Sequence, residues 1–238
     1  MSMEDRIIFD IRADLSSIID EKTKNGFQRF FKEEVKFYGV KTPDAERIAK
    51  KHFEKLRGKS KGEVFRTCEK LLQSGFHEEA IVAFAWAYSF RKQYEADDFS
   101  VFERWVERYV DNWAKCDTLC NHSVGALVER FPQCTSGLKA WTKSDNRWLR
   151  RASAVSLIIP AKKGMFLDDV FVISSNLLKD KDDLVQKGYG WLLKEASNFH
   201  QNEVFEYVMK NKADMPRTAL RYAIEKLPKD LRDAVMKK

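Results

Sequence analysis

Apolar residues along this chain recur at intervals of three and four, not two. In "DDFSVFERWVERYVDNW", Phe99, Phe102, Val106 and Val110 form one stripe, with Trp105 and Tyr109 beside it and charges at most other positions. Similar stripes run through 44–57, 62–73, 78–91, 146–158, 167–178, 183–196, 203–210 and 217–226. Each spacing predicts a helix of ordinary length, and no stretch alternates as a strand would.

Boundary signals fit these helices. Thr42 and Pro43 read as an N-cap and a first-turn proline before "DAERIAKKHFEKL", with Gly58 just past its end. Ser60 reads as the next cap, and "SG" at 74–75 as that helix's stop. Ser144 with Asp145 opens "NRWLRRASAVSLI", which is expected to halt at Pro160. Short connections predict antiparallel neighbours. "WLRRASA" (148–154) and "LVQKGYG" (184–190) align at an offset of 36, each with small residues that let helices approach. The expected fold is all-α, a HEAT-like solenoid of antiparallel helix pairs whose concave face cradles an extended partner; an irregular helical bundle is the alternative.

Composition adds limits. A chain of 238 residues with 44% hydrophobic and 33% charged residues buries a real core, and a single domain spanning 1–238 is expected. The formal charge of +7 attracts polyanions without specifying one. The first twenty residues mix acids and bases, unlike a secretory or transit leader, and "AIVAFAWAY" (80–88) is too short to span a bilayer. Four irregularly spaced cysteines suggest reduced thiols in the cytosol, so a cytoplasmic protein is expected.

The chemistry concentrates in "DNWAKCDTLCNH" (111–122). Cys116, Cys120, His122 and Cys134 give C-x3-C-x-H and a later cysteine, a poor match to the paired knuckles of structural zinc, and no metal is expected. Trp113, Cys116, Asp117 and Cys120 instead follow i, i+3, i+4, i+7 and share a helical face. Two readings of Asp117 stay open on spacing alone: a functional carboxylate beside a tryptophan, or the N-cap of a helix beginning at Thr118.

The order of short motifs adds a further fact. "FYGVKTPDAERI", "NWAKCD", "KSDNRWLRRASA" and "VQKGYGWLLKEAS" follow one another along the chain. This set, from about Phe27 to about Leu227, resembles the AlkD-type DNA alkylation-repair glycosylases. The resemblance implies a HEAT-like solenoid gripping duplex DNA on a basic concave surface. It implies hydrolysis of the N-glycosidic bond of cationic N3- and N7-alkylpurines, without drawing the base into a deep pocket and with no cofactor. It places the catalytic carboxylate at Asp117, the sugar-contacting tryptophans at Trp113 and Trp191, and a site arginine at Arg151. Three positions depart from the family pattern: Lys194 where a second arginine is found, Phe30 in place of a tyrosine, and Asn112-Trp113 in place of a tryptophan doublet.

The residue types suit that chemistry. A cationic purine is already an activated leaving group, and bond cleavage develops positive charge on the sugar. A carboxylate stabilises that charge and orients water, while indole faces add cation–π attraction. Lys41 and Thr42 at a helix start, with Arg150, Lys187 and Lys194, are the candidate DNA-binding residues. The basic run 47–61 and Lys162-Lys163 are further candidates for non-specific phosphate contact, although such runs are commonly solvated faces. Trp148 reads as core, needed for the apolar stripe of its helix. The expected partner is double-stranded DNA containing alkylated purines, bound by a monomer with no obligate protein partner and no membrane. A non-catalytic module binding damaged or branched DNA and a protein-interaction scaffold are the rival readings.

Overall fold

The computed structural model describes residues 2–237, and those residues contain helices and no strand. In chain order the α-helices are α1 (Met3–Ser17), α2 (Glu21–Gln28), α3 (Thr42–Phe53), α4 (Lys61–Leu72), α5 (His77–Ser89), α6 (Asp98–Tyr109), α7 (Trp113–Thr118) and α8 (Gly125–Arg130). They continue as α9 (Thr135–Trp141), α10 (Arg147–Val155), α11 (Ile158–Lys162), α12 (Leu167–Asn176), α13 (Asp183–Ala196), α14 (Gln201–Asn211), α15 (Arg217–Ala223) and α16 (Lys229–Met236). A π-helical turn, Leu119–Val124, joins α7 to α8.

The chain divides into two compact units. One runs up to Tyr94 and takes in Arg108–Leu119; the other holds Glu95–Glu107 and the chain from Cys120 on. In the first, α5 is the central element and packs against α3, α4 and α7. The run "AIVAFAWAY" lies inside it, and its apolar residues face neighbours nearly all round. Trp86 is buried there and donates its indole N–H to the Ala49 carbonyl at 2.8 Å. No helix among the described residues is long and apolar enough to cross a membrane. α1 lays Ile7, Ile8, Ile11 and Leu15 on α3 and α4.

In the second unit α13 is central, packed against α10, α11, α12 and α15. Gly190 of "KGYGW" is what admits α15. A Cβ at Gly190 would lie 2.8 Å from the Ala219 carbonyl oxygen and 2.7 Å from the Tyr222 Cβ, so α13 and α15 meet backbone to side chain only with glycine there. Packing of successive helices on one another, with links of a few residues, is the local unit of an α-solenoid.

Several predicted boundaries need correction. α3 begins at Thr42, so Lys41 and not Thr42 holds the N-cap position, and no side chain caps it. α10 is capped by Asn146, whose side chain accepts the Trp148 N–H at 2.8 Å, one or two residues after the expected Ser144 and Asp145. The same helix stops at Val155, well before Pro160. In an unbroken helix the proline ring would clash with the carbonyl four residues back, that of Ser156. The chain therefore turns at 156–157, and Pro160 sits in the first turn of α11, where a missing N–H costs nothing. Ser60 caps α4 as expected, in a capping box with Glu63, and Gly58 and Gly75 take the left-handed conformation at φ 83° and 78°.

Candidate active site

Asn112 opens α7. Its buried side chain accepts the Lys115 N–H at 3.0 Å, so the helix starts at Trp113 and Asp117 lies inside it. Asp117 is therefore not the N-cap of a helix starting at Thr118. Trp113 and Asp117 stand one turn apart on one helix face, both half-buried. The π-turn follows directly after Thr118, a distortion often found at functional sites. Asn112 in place of a second tryptophan is thus a helix cap.

Trp113 is fixed by residues far away in sequence. Its ring stacks on Phe31 at 5.4 Å between centroids and 21° between planes, and its indole N–H donates to the Phe30 carbonyl at 3.2 Å. Phe31 in turn packs on Phe37 and His77, at 5.6 and 6.1 Å. Just beyond Phe37, residues 38–40 are held by the first turn of α5. The wholly buried Glu78 accepts the backbone N–H groups of Tyr38, Gly39 and Val40 at 3.1, 2.9 and 2.9 Å. Glu79, equally buried, accepts from the Arg12 guanidinium and from the Tyr38 hydroxyl. Burial first, and then the nearby Lys115 ammonium, hold His77 down at a pKa of about 4. Lys115 is itself only 2% exposed, and its ammonium donates to the Gly75 carbonyl at 3.0 Å and to Asp111 at 2.8 Å.

The second unit carries Arg150, Arg151, Lys187, Trp191 and Lys194 of the expected site. Arg151 is buried, not a surface charge; it donates to the Leu184 carbonyl and its side chain lies beside Gly188. Arg147 pairs with Asp182 at 3.0 Å and Arg150 with Asp180 at 2.7 Å. All three arginines of α10 thus reach residues 180–184, where the chain enters α13. Arg150, expected on DNA, also donates to the carbonyls of Ser144 and Asp145, so its fork serves the fold. Trp191 is half-buried on α13, and its indole N–H donates to Glu195 at 3.3 Å. Lys194 pairs with Glu225 at 3.1 Å and lies 5.8 Å from the Tyr222 ring centre, while Lys187 pairs with Asp183 at 3.2 Å. Trp148 is buried, with Arg147 over its ring.

The basic run 47–61 is largely neutralised within the first unit. Lys51 and Lys55 pair with Asp14 and Asp10 of α1, Arg47 with Asp44, Arg57 with Glu54 and Lys59 with Glu63. Lys163 pairs with Glu129. Lys41 and Thr42 are exposed at the start of α3. All four cysteines are buried and His122 is exposed, so the conspicuous C-x3-C-x-H is packing and surface.

Sequence reasoning missed Phe31, His77 and Glu78, because nothing in their spacing ties them to Trp113, and Lys115, although it stands two residues after Trp113 and four after its partner Asp111. Glu195 was within reach, since it stands four residues after Trp191 on one helix.

A family model described as DNA alkylation repair enzyme matches residues 11–227. Among solved structures, one titled "Predicted DNA alkylation repair enzyme from Enterococcus faecalis" is 19% identical over 89% of this chain and 97% of its own, with a TM-score of 0.79. That likeness speaks to the fold. No curated protein matches the sequence.

Proposed function

Because this chain belongs to the DNA alkylation repair enzyme family, we propose that it is a monofunctional DNA glycosylase acting on cationic N3- and N7-alkylpurines in duplex DNA. The carrying observation is the placement of Trp113 and Asp117. They sit one turn apart within α7, half-buried, so neither is spent as a helix cap or sealed in the core. Asp117 stabilises the positive charge that develops on the sugar and orients the water that attacks C1′. The bond between C1′ and the purine nitrogen breaks with its electron pair going to the base, which leaves neutral because it began as a cation. Water supplies the new C1′ oxygen and gives up a proton, and the product is an abasic site. Trp113 and Trp191 offer π faces to the sugar charge, each contact contributing about 0.5–2 kcal/mol. Arg151, locked to the Leu184 carbonyl, orders the segment ahead of Trp191. Lys41, Thr42, Lys187 and Lys194 are the proposed phosphate contacts, and Lys194 must loosen its Glu225 pair to serve. Arg150 contributes through Asp180 to the fold around them.

Incubation of methylated duplex DNA with the protein tests this directly. Release of 7-methylguanine or 3-methyladenine by the wild type, reduced about a hundredfold or more in Asp117→Asn, is expected. No release from any alkylated duplex sinks the enzyme reading. Salt-dependent duplex binding without release then favours a non-catalytic DNA-binding module. Trp113→Ala and Trp191→Ala should each slow release while the helical circular dichroism persists.

A further inference from the structure

We propose that Glu195 is a positioning residue that acts through Trp191, polarising its indole ring so that the protein discriminates cationic from neutral sugar-like groups. This inference rests on the assignment of Trp191 to the site. The geometry divides the carboxylate cleanly. One oxygen of Glu195 takes Lys226 Nζ at 2.8 Å and Asn198 Nδ2 at 3.0 Å, while the other takes the Trp191 indole N–H at 3.3 Å. Glu195 is buried, at 8% exposure.

Burial by itself pushes the acidity of Glu195 the wrong way, toward the neutral acid. The Lys226 ammonium, the Asn198 amide and the indole N–H outweigh it and hold the group below the ordinary glutamate value, so it is an anion at neutral pH. An N–H that donates to an anion is a charge-assisted donor, and it feeds electron density back into the ring that bears it. The π face of Trp191 becomes more negative, and its attraction for a cation rises while its attraction for a neutral group does not. Trp113 lacks this feature, because its N–H meets the neutral carbonyl of Phe30. A carboxylate at the edge of the ring thus strengthens cation recognition without itself touching the sugar.

The test uses two duplexes, one with a cationic pyrrolidine at the abasic position and one with a neutral tetrahydrofuran. The wild type should bind the cationic duplex more tightly. Glu195→Gln should cut that preference about threefold to tenfold, the share of a cation–π contact that depends on ring polarity. The Trp191 indole N–H resonance, assigned from Trp191→Phe, should move upfield in Glu195→Gln. In a Trp191→Phe background the second change should have no further effect on the preference, which separates polarisation from a general structural role. An unmoved indole resonance overturns the inference, as does an unchanged preference in Glu195→Gln or an equal loss in the Trp191→Phe background. A wild type that treats the two duplexes alike overturns the site reading itself and takes the discriminating role of Glu195 with it. The resonance then still reports whether the carboxylate polarises the ring.

Discussion

Trp113 and Trp191 are the same side chain held in two different ways. Trp191 hydrogen-bonds Glu195, four residues on in its own helix, so α13 supplies both partners wherever it forms. Trp113 relies on Phe30 and Phe31, more than eighty residues earlier, and behind Phe31 on Phe37, whose following residues 38–40 are held by the buried Glu78. The first arrangement is local and comes with the helix; the second is tertiary and comes only when the unit has folded. The two tryptophans should therefore fail under different insults.

The harshest way to separate them is Glu78→Ala. Three backbone N–H groups, two of them in buried residues, lose their acceptor at once, and leaving even one buried group unpaired costs about 1–3 kcal/mol. A loss of about 3 kcal/mol or more in urea denaturation is expected, with the Trp113 indole resonance displaced and that of Trp191 in place. A change below about 1 kcal/mol means that the 38–40 turn stands without the glutamate.

Acid should act on the same side of the comparison. The folded-state pKa of His77 is about 4, below the ordinary 6.5, so the unfolded chain binds the proton more readily than the folded one. The stability contribution is full above pH 6.5 and is lost as pH falls toward 4, to a limit of about 3 kcal/mol at 1.36 kcal/mol per unit. The wild type should lose stability over that window more steeply than His77→Phe, and Trp113 should report the change through Phe31. Parallel pH profiles for the two proteins contradict this account.

That asymmetry also explains what the sequence let through. Helical period alone located α12 and α13 at or within two residues of their ends, because a stripe of buried residues is a local property of the chain. α1 carries an equally local stripe, Ile7, Ile8, Ile11 and Leu15, within a stretch whose mixed acids and bases speak first against a leader. The break at 156–157 was misplaced because proline acts on the carbonyl four residues upstream, not at its own position. Asp117 could not be told from a cap by spacing; the cap turned out to be Asn112. The basic run 47–61 leaves phosphate contact and a solvated face both open on sequence, because the acids that pair Lys51 and Lys55 lie on α1 some forty residues away, beyond any local pattern. The order of motifs singles out Trp113 and Asp117 as candidates, but not the surroundings of Trp113 at Phe31 and His77, because those meet only in the folded unit.

The smallest effect isolates the ring contact itself. Phe31→Leu keeps an apolar side chain against Phe37 and His77 but removes the stacked face under Trp113. Stacking beyond burial contributes about 0.5–1.5 kcal/mol, so stability should fall by roughly that much and no more. The Phe30 carbonyl still receives the indole N–H, so the ring should keep its tether while gaining freedom to rock about it. Under the proposed glycosylase function such a ring would present its face to a sugar cation less often, which would lower the excision rate more than it weakens duplex binding. Measured side by side, Phe31→Leu should therefore lower the single-turnover excision rate, with the Trp191 resonance unmoved. An unchanged excision rate would mean that the hydrogen bond to Phe30 alone orients Trp113. The two tryptophans would then be more alike than their surroundings suggest, each set by its N–H partner, one neutral and one charged.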